Sequence, residues 1–394
     1  MCSKSRYYGC ILGLAVGDAL GGAFELEPVA QRKKINDMSD NQTHYGVLPG
    51  IWTDETSMTL LLLESLVQHD YDQVQQLKNL QRWLDTGHLA ATGNCDDIAG
   101  PILKALHSYR QELSTRPMDS DNSSLVRTAA AVLYQPNESM GYIVKLAGKC
   151  SQTTHSSDLV ADSCRYLAAL TKLALDGRTK QELMNHQVGP EYQTEMQTLA
   201  NNKPYLLNQV EQLNGTHQVM STLRTALYCF FKTDNFREGA LMAVNNSQDS
   251  DGVGAVYGQL AGAFYGLEQV PWLENLVQTP MILEVVDQAW DNITDYQDMN
   301  DTHTGDTVVT HGFSQVQTSE AEELHEHVPP PQVQTSELHV QVPPPPQVQT
   351  SELHVQVPPS QDEYEEFDLD LPQQAPDVSA AQQPAAGQPL IIKL

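Results

Sequence analysis

NNSQDSDGVGAVYGQLAGAFYG (245–266) decides how this chain folds. Glycines stand at 254, 258, 262 and 266, and small or apolar residues fill most of the intervals, a spacing that predicts a helix with a glycine stripe down one side. A second ladder, Gly9, Gly13, Gly17 and Gly21, runs through YGCILGLAVGDALGG (8–22). Each glycine inside a helix costs about 1 kcal/mol relative to alanine, so eight of them need a reason. Small-residue stripes that let helix backbones approach closely, as GxxxG does in membranes, supply one. Direct ligand contact by the ladders is the other reading.

Outward from these ladders, apolar residues recur at three- and four-residue spacing. They do so in TSMTLLLLESLVQ (56–68), QQLKNLQRWLDTG (75–87), DLVADSCRYLAALTKLALDG (158–177) and TLRTALYCFFKT (222–233). Gly87 and Gly177 fall where helix C-caps are expected. Alternating strand-like runs are scarce, so the fold class is all-α. Residues 178–217 are polar and rich in Gln and Asn, and read as a variable excursion of poorly determined structure.

Near residue 300 the character changes. QVQTSELHVQVPP occurs at 332–344 and again at 347–359, proline runs favour extended polyproline conformation, and QDEYEEFDLDLP follows. The expected organisation is a globular domain over 1–298 and a disordered acidic tail over 299–394, with docking of protein partners as one use of its repeats.

The chain carries a formal charge of −28, and half of it lies in residues 301–394, where 15 acidic residues face Lys393 alone. That balance argues against nucleic acid and anionic lipid as partners, since both are bound by basic residues neutralising phosphates. No run of about 18 apolar residues predicts a membrane span. The apolar start is broken by Asp18 and lacks a cleavage site, so it is not read as a signal peptide. Six cysteines without a CxxC pair read as reduced thiols of a cytoplasmic protein, expected to be monomeric.

Three acidic clusters lie far apart: Glu25, then WTDETSMT with Asp54 and Glu55, then QDSDG with Asp249 and Asp251. Hard cations such as Mg²⁺ and Mn²⁺ take oxygen ligands, and closely spaced carboxylates can share one ion or bridge two. Thr53 and Thr56 would add hydroxyl oxygens or cap the following helix. By themselves TDET is also a helix N-terminus with favourable acids, and QDSDG is also a turn.

The order of whole motifs goes further. GLAVGDALG (13–21), Glu25, GVLPGIWTDETSMTL (46–60), TGNCDDIAG (92–100), DNSSLVR (121–127), SQTTHSSDLVADSCRYLAAL (151–170) and the stretch 245–266 together resemble the ADP-ribosylglycohydrolases over about residues 7–270. The resemblance implies a compact helical bundle with two Mg²⁺ or Mn²⁺ ions in a central cleft. On the matching positions it implies Thr53, Asp54, Glu55, Asp249 and Asp251 at the metals, and Glu25 on a nearby loop. It also implies Asp97 facing the scissile bond, and Asn122, Ser124 and His155 lining the ADP-ribose cleft. The activity implied is hydrolysis of the glycosidic bond between ADP-ribose and a protein side chain or small molecule. Carboxylates suit that reaction because its transition state is oxocarbenium-like.

Three positions depart from the family pattern. Glu55 stands where a second aspartate is usual, Ser123 where a glycine is usual, and Gly252 where a threonine would give a metal-binding hydroxyl. They predict one strong and one weak metal site, and they keep open the alternative of a catalytically impaired homologue that binds ADP-ribose or a protein partner.

Overall fold

The computed structural model describes residues 2–24, 29, 32–40, 48–95, 97–111, 119–207 and 213–302. Glu25 and the tail from residue 303 onward lie outside the described residues. The long helices are α1 (Lys4–Gly21), α2 (Asp54–His69), α3 (Gln73–Thr86), α4 (Gly100–Arg110), α7 (Met140–Ser151), α8 (Asp158–Leu175), α11 (Val219–Lys232), α12 (Phe236–Asn245), α13 (Ser250–Tyr265) and α14 (Thr279–Thr302). Shorter turns of helix are α5 (Ser123–Val126), α6 (Thr128–Tyr134), α9 (Lys180–Met184) and α10 (Thr194–Gln197). Among the described residues there is no β-strand, so the all-α expectation holds.

The two glycine ladders face each other. A Cβ built on Gly9 would lie 2.5 Å from the Gly262 carbonyl oxygen, one on Gly13 2.6 Å from that of Gly258, and one on Gly17 2.0 Å from that of Gly254. The pairing is antiparallel, and the backbones of α1 and α13 touch because no side chain separates them. Both helices are buried on nearly every side. Gly266 is not a rung: at φ +85° it ends α13, its N–H donating to the Gly262 carbonyl.

Antiparallel packing sets the C-terminal end of α1 beside the start of α13, where the Ser250 hydroxyl donates to the Gly21 carbonyl (2.9 Å). One turn back on α1, the fully buried Asp18 carboxylate reaches the start of α2. The end of α1 therefore brings two acid-bearing helix starts together.

Gly87 closes α3 in the left-handed region (φ +65°), its N–H donating to the Trp83 carbonyl, and Gly177 (φ +75°) follows α8 in the same way. The described residues of the stretch 178–217 are better ordered than its composition suggests. Thr179 and Glu182 form a reciprocal capping box at α9, and Leu183, Met196, Leu199 and Tyr205 are buried. At its end and just beyond it, the bridges Gly215–Ser247 and Asp121–Gln218 stitch two loops together.

Candidate active site

At the start of α2, Thr53 is the N-cap residue but its hydroxyl does not cap the helix. Asp18 does so from α1: its carboxylate accepts from the backbone N–H of Thr53 (3.0 Å) and of Thr56 (3.0 Å), and from both hydroxyls (2.7 and 2.5 Å). Asp54 and Glu55 follow in the first turn, where the helix dipole favours negative charge. Asp251 occupies the same place on α13, with Asp249 as its N-cap residue.

The convergence is tight. Carboxylate oxygens of Glu55, Asp249 and Asp251 lie within 4.8 Å of one another, and all three residues are buried. At that distance each pair of charges repels by about 3 kcal/mol at an effective dielectric of about 20. The Thr53 hydroxyl stands 2.5 Å from Glu55 Oε2, and half-buried Asp54 is hydrogen-bonded to the Glu55 carboxyl. The expected first-cluster residues thus reach the second cluster through Glu55, whose extra methylene is accommodated.

Proton affinities report the crowding. Burial pushes the Asp18 carboxyl up to about 6, against the four hydrogen bonds that pull it down. Burial, with the charges of Asp97 and Asp18, takes Asp54 to about 7. Glu55 is raised well above the ordinary range by burial and then by Asp54, Asp251 and Asp18. These folded-state values exceed the unfolded ones, so the metal-free fold loses stability as pH rises from about 4 to about 7. His186, lowered by burial, opposes this in part of the window, and the lowered carboxyls of Asp37, Asp121, Glu182 and Glu268 oppose it only at the acid end, below about pH 5. In chelator the thermal midpoint is expected to fall between about pH 5 and about pH 7.5, and a divalent cation to offset the fall. A midpoint that is flat or rising over that range would contradict the charge crowding described.

Asp97 is exposed on the loop before α4, where its charge acts on Asp54 and its own Oδ1 accepts from the Ile98 N–H (2.7 Å). Asn122 is buried and inside the site: its amide nitrogen donates to Asp249 Oδ2 (2.5 Å) and to the Thr222 hydroxyl (2.9 Å). Ser124 and His155 are both withdrawn from solvent. The Ser124 hydroxyl pairs with that of Ser151 (2.9 Å). The His155 ring, 0% exposed, stands between the Thr154 hydroxyl (2.9 Å) and Asp121 Oδ1 (3.1 Å). Neither presents a free face to a cleft in this arrangement.

Two groups escaped the sequence reading. Asp18 was visible as a lone charge in an apolar, glycine-rich helix, a pattern that signals a buried, hydrogen-bonded acid. His217 gave no signal in its polar surroundings. It is half-exposed, with Nδ1 3.2 Å from Asp249 Oδ1, which places a basic group on the acidic cluster.

Gly252 needs a different account from a missing ligand. A Cβ there would lie 2.6 Å from Asp249 Oδ2 and 2.8 Å from Asn122 Nδ2. The space a threonine would use is taken by the Asn122–Asp249 hydrogen bond. Gly252→Thr is therefore expected to destabilise by about 1–3 kcal/mol and to leave Mn²⁺ affinity no better than wild type. Calorimetric titration checks this, and an affinity gain would mean that the pair yields easily.

The ADP-ribosylglycohydrolase family profile matches residues 3–298. The chain is 31% identical to the ADP-ribosylarginine hydrolase Tri1 of Pseudomonas putida (strain GB-1), over 73% of this chain and 78% of that protein. It is 26% identical to the ADP-ribosyl-[dinitrogen reductase] glycohydrolase of Rhodospirillum rubrum, over 69% of this chain and 90% of that one. A solved structure titled ADP-ribosylglycohydrolase-related protein complex superposes with a TM-score of 0.62 at 30% identity, covering 74% of this chain and 97% of its own.

Proposed function

Because the chain belongs to the ADP-ribosylglycohydrolase family, we propose that it is a Mg²⁺- or Mn²⁺-dependent hydrolase that releases ADP-ribose from a modified arginine side chain. The observation that carries the reading is the buried trio Glu55, Asp249 and Asp251. Three mutually repelling carboxylates at two helix starts call for positive charge, and an all-oxygen donor set suits a hard divalent cation. Thr53, Asp54, Glu55, Asp249 and Asp251 would hold it, and its chemistry there would be to orient ribose hydroxyls and lower the proton affinity of water.

The chain's own residues do the rest. Asp18 fixes the start of α2, so that Asp54 and Glu55 point as the cluster requires. Asp97, exposed beside Asp54, supplies the carboxylate that faces the reacting ribose and stabilises its developing positive charge. Glu25, which follows α1 in the sequence, is assigned to the same task. Asn122 orients Asp249, and His155 and Ser124 act from behind the cleft wall rather than on the ligand.

Arginine linkage is preferred because a relative sharing 31% of its residues with this chain is named for it. The test is incubation of the chain with arginine-linked and serine-linked ADP-ribosyl peptides in Mn²⁺, following free ADP-ribose. Release from the arginine conjugate is expected, and release from the serine conjugate alone would overturn the linkage. Binding of ADP-ribose without release from either would support the impaired homologue.

The acidic, repeat-bearing segment 299–394 is proposed to be dispensable for this chemistry. Truncation after Asn300 is expected to leave the thermal midpoint and ADP-ribose release unchanged, and limited proteolysis to yield a resistant fragment ending near residue 300. A protected fragment reaching past residue 360 would move that boundary.

A further inference from the structure

The turn that carries Asn122 is held from below by a ring of hydrogen bonds to which the chemistry of the site assigns no role. It starts at Arg127, a guanidinium only 3% exposed. Nη1 donates to the Ser123 carbonyl (2.8 Å) and Nη2 to the Thr154 hydroxyl oxygen (2.6 Å). With that oxygen accepting from arginine, the hydroxyl proton is directed to His155 Nδ1 (2.9 Å), which leaves Nε2–H to donate to Asp121 Oδ1 (3.1 Å). Asp121 Oδ1 accepts in turn from the Ser123 N–H (2.8 Å), and the ring closes.

Both neighbours of Asn122 are thereby fixed. Asp121 is held by His155, and Ser123 is held at its N–H by Asp121 and at its carbonyl by Arg127. Between them, the Asn122 amide is left one pose, with one N–H on Asp249 and the other on Thr222. Buried polar groups are costly unless every partner is present, and a buried arginine most of all, so a ring of this size is more than filler between helices.

We propose that Arg127, Thr154, His155 and Asp121 form a positioning device, which holds the Asn122 amide on Asp249 and so sets where that carboxylate stands in the acidic cluster. The consequence for cation affinity rests on the metal reading given above; the positioning itself does not.

The test uses the full chain and four variants: Thr154→Val, Thr154→Ser, Asn122→Ala and the Asn122→Ala/Thr154→Val double. Mn²⁺ binding is measured by calorimetry well below the thermal midpoint of each. Thr154→Val, which removes the hydroxyl at nearly constant shape, is expected to weaken binding about tenfold, the usual cost of losing a group that orients a ligand. Thr154→Ser restores wild-type affinity. In the Asn122→Ala background Thr154→Val adds no further loss, because the ring acts through Asn122. Unchanged affinity in Thr154→Val with a lowered midpoint would overturn the proposal, as would additive losses in the double variant. Should Thr154→Val not fold, Asp121→Ala, at the rim of the turn, takes its place in the same cycle. Failure of the wild type to bind Mn²⁺ would overturn the metal reading instead. The positioning claim is then decided by the crystal structure of Thr154→Val, in which the Asn122 amide must have left Asp249; an amide still in place overturns it.

Discussion

Asp251→Asn is expected to cut ADP-ribose release by on the order of a hundred- to a thousandfold while leaving the fold intact. The substitution keeps the shape of the side chain and the oxygen that accepts from the Gly252 N–H. What it removes is one of three negative charges gathered within 4.8 Å. Because the Asp251 charge is among those that raise Glu55, its loss relieves repulsion in the metal-free chain. The thermal midpoint in chelator is therefore expected to rise, not fall. Activity and metal-free stability moving in opposite directions distinguish a functional carboxylate from a structural one. Measured by calorimetry in EDTA beside the rate assay, a loss of both would mean that Asp251 mainly supports the fold.

Gly258→Ala is expected to lower the thermal midpoint by roughly 5 °C or more, through a loss of about 3 kcal/mol or more. On an exposed helix the same change would stabilise by up to about 1 kcal/mol. Here the new methyl carbon would lie 2.0 Å from the Gly13 carbonyl oxygen. Backbone, unlike a flexible side chain, cannot swing aside, so α1 and α13 must separate along their length. That separation would also carry Asp18 away from α2 and Gly21 away from Ser250, so activity falls with stability. Gly141→Ala is the control: that glycine also lies in a helix, α7, but nothing stands within 4 Å of its Cβ position. A Gly258→Ala midpoint at or above wild type would contradict the helix contact on which the site is built.

The features legible in the sequence are those that repeat or that combine. Two glycine ladders with a period of four specify a close helix pair, and the pair is found as α1 and α13. Acidic residues at the starts of two apolar helices have a cap as their bland explanation and a metal site as their sharp one. Glu55 and Asp251 sit in first turns, where the helix dipole favours them, and their carboxylates with that of Asp249 lie within 4.8 Å of one another, a group that could hold a metal ion. The long-range partners were not legible. That Asp18 rather than Thr53 caps α2, or that His217 meets Asp249, depends on which elements pack together, and no local pattern encodes it. His155 shows the same limit. Its place in the motif implied a cleft residue, whereas Thr154 and Asp121 engage both ring nitrogens in the interior. Gly252 was read as a deleted ligand because a sequence shows the missing hydroxyl and not the Asn122 amide that fills its space.

The most direct test of the account is the initial rate of ADP-ribose release from an arginine-linked ADP-ribosyl peptide, measured with wild-type chain in Mn²⁺ and again in excess EDTA. A buried trio of carboxylates that serves as a cation site predicts release in Mn²⁺, its fall to the uncatalysed background in EDTA, and its return when Mn²⁺ is added back. Undiminished turnover in excess chelator would contradict it.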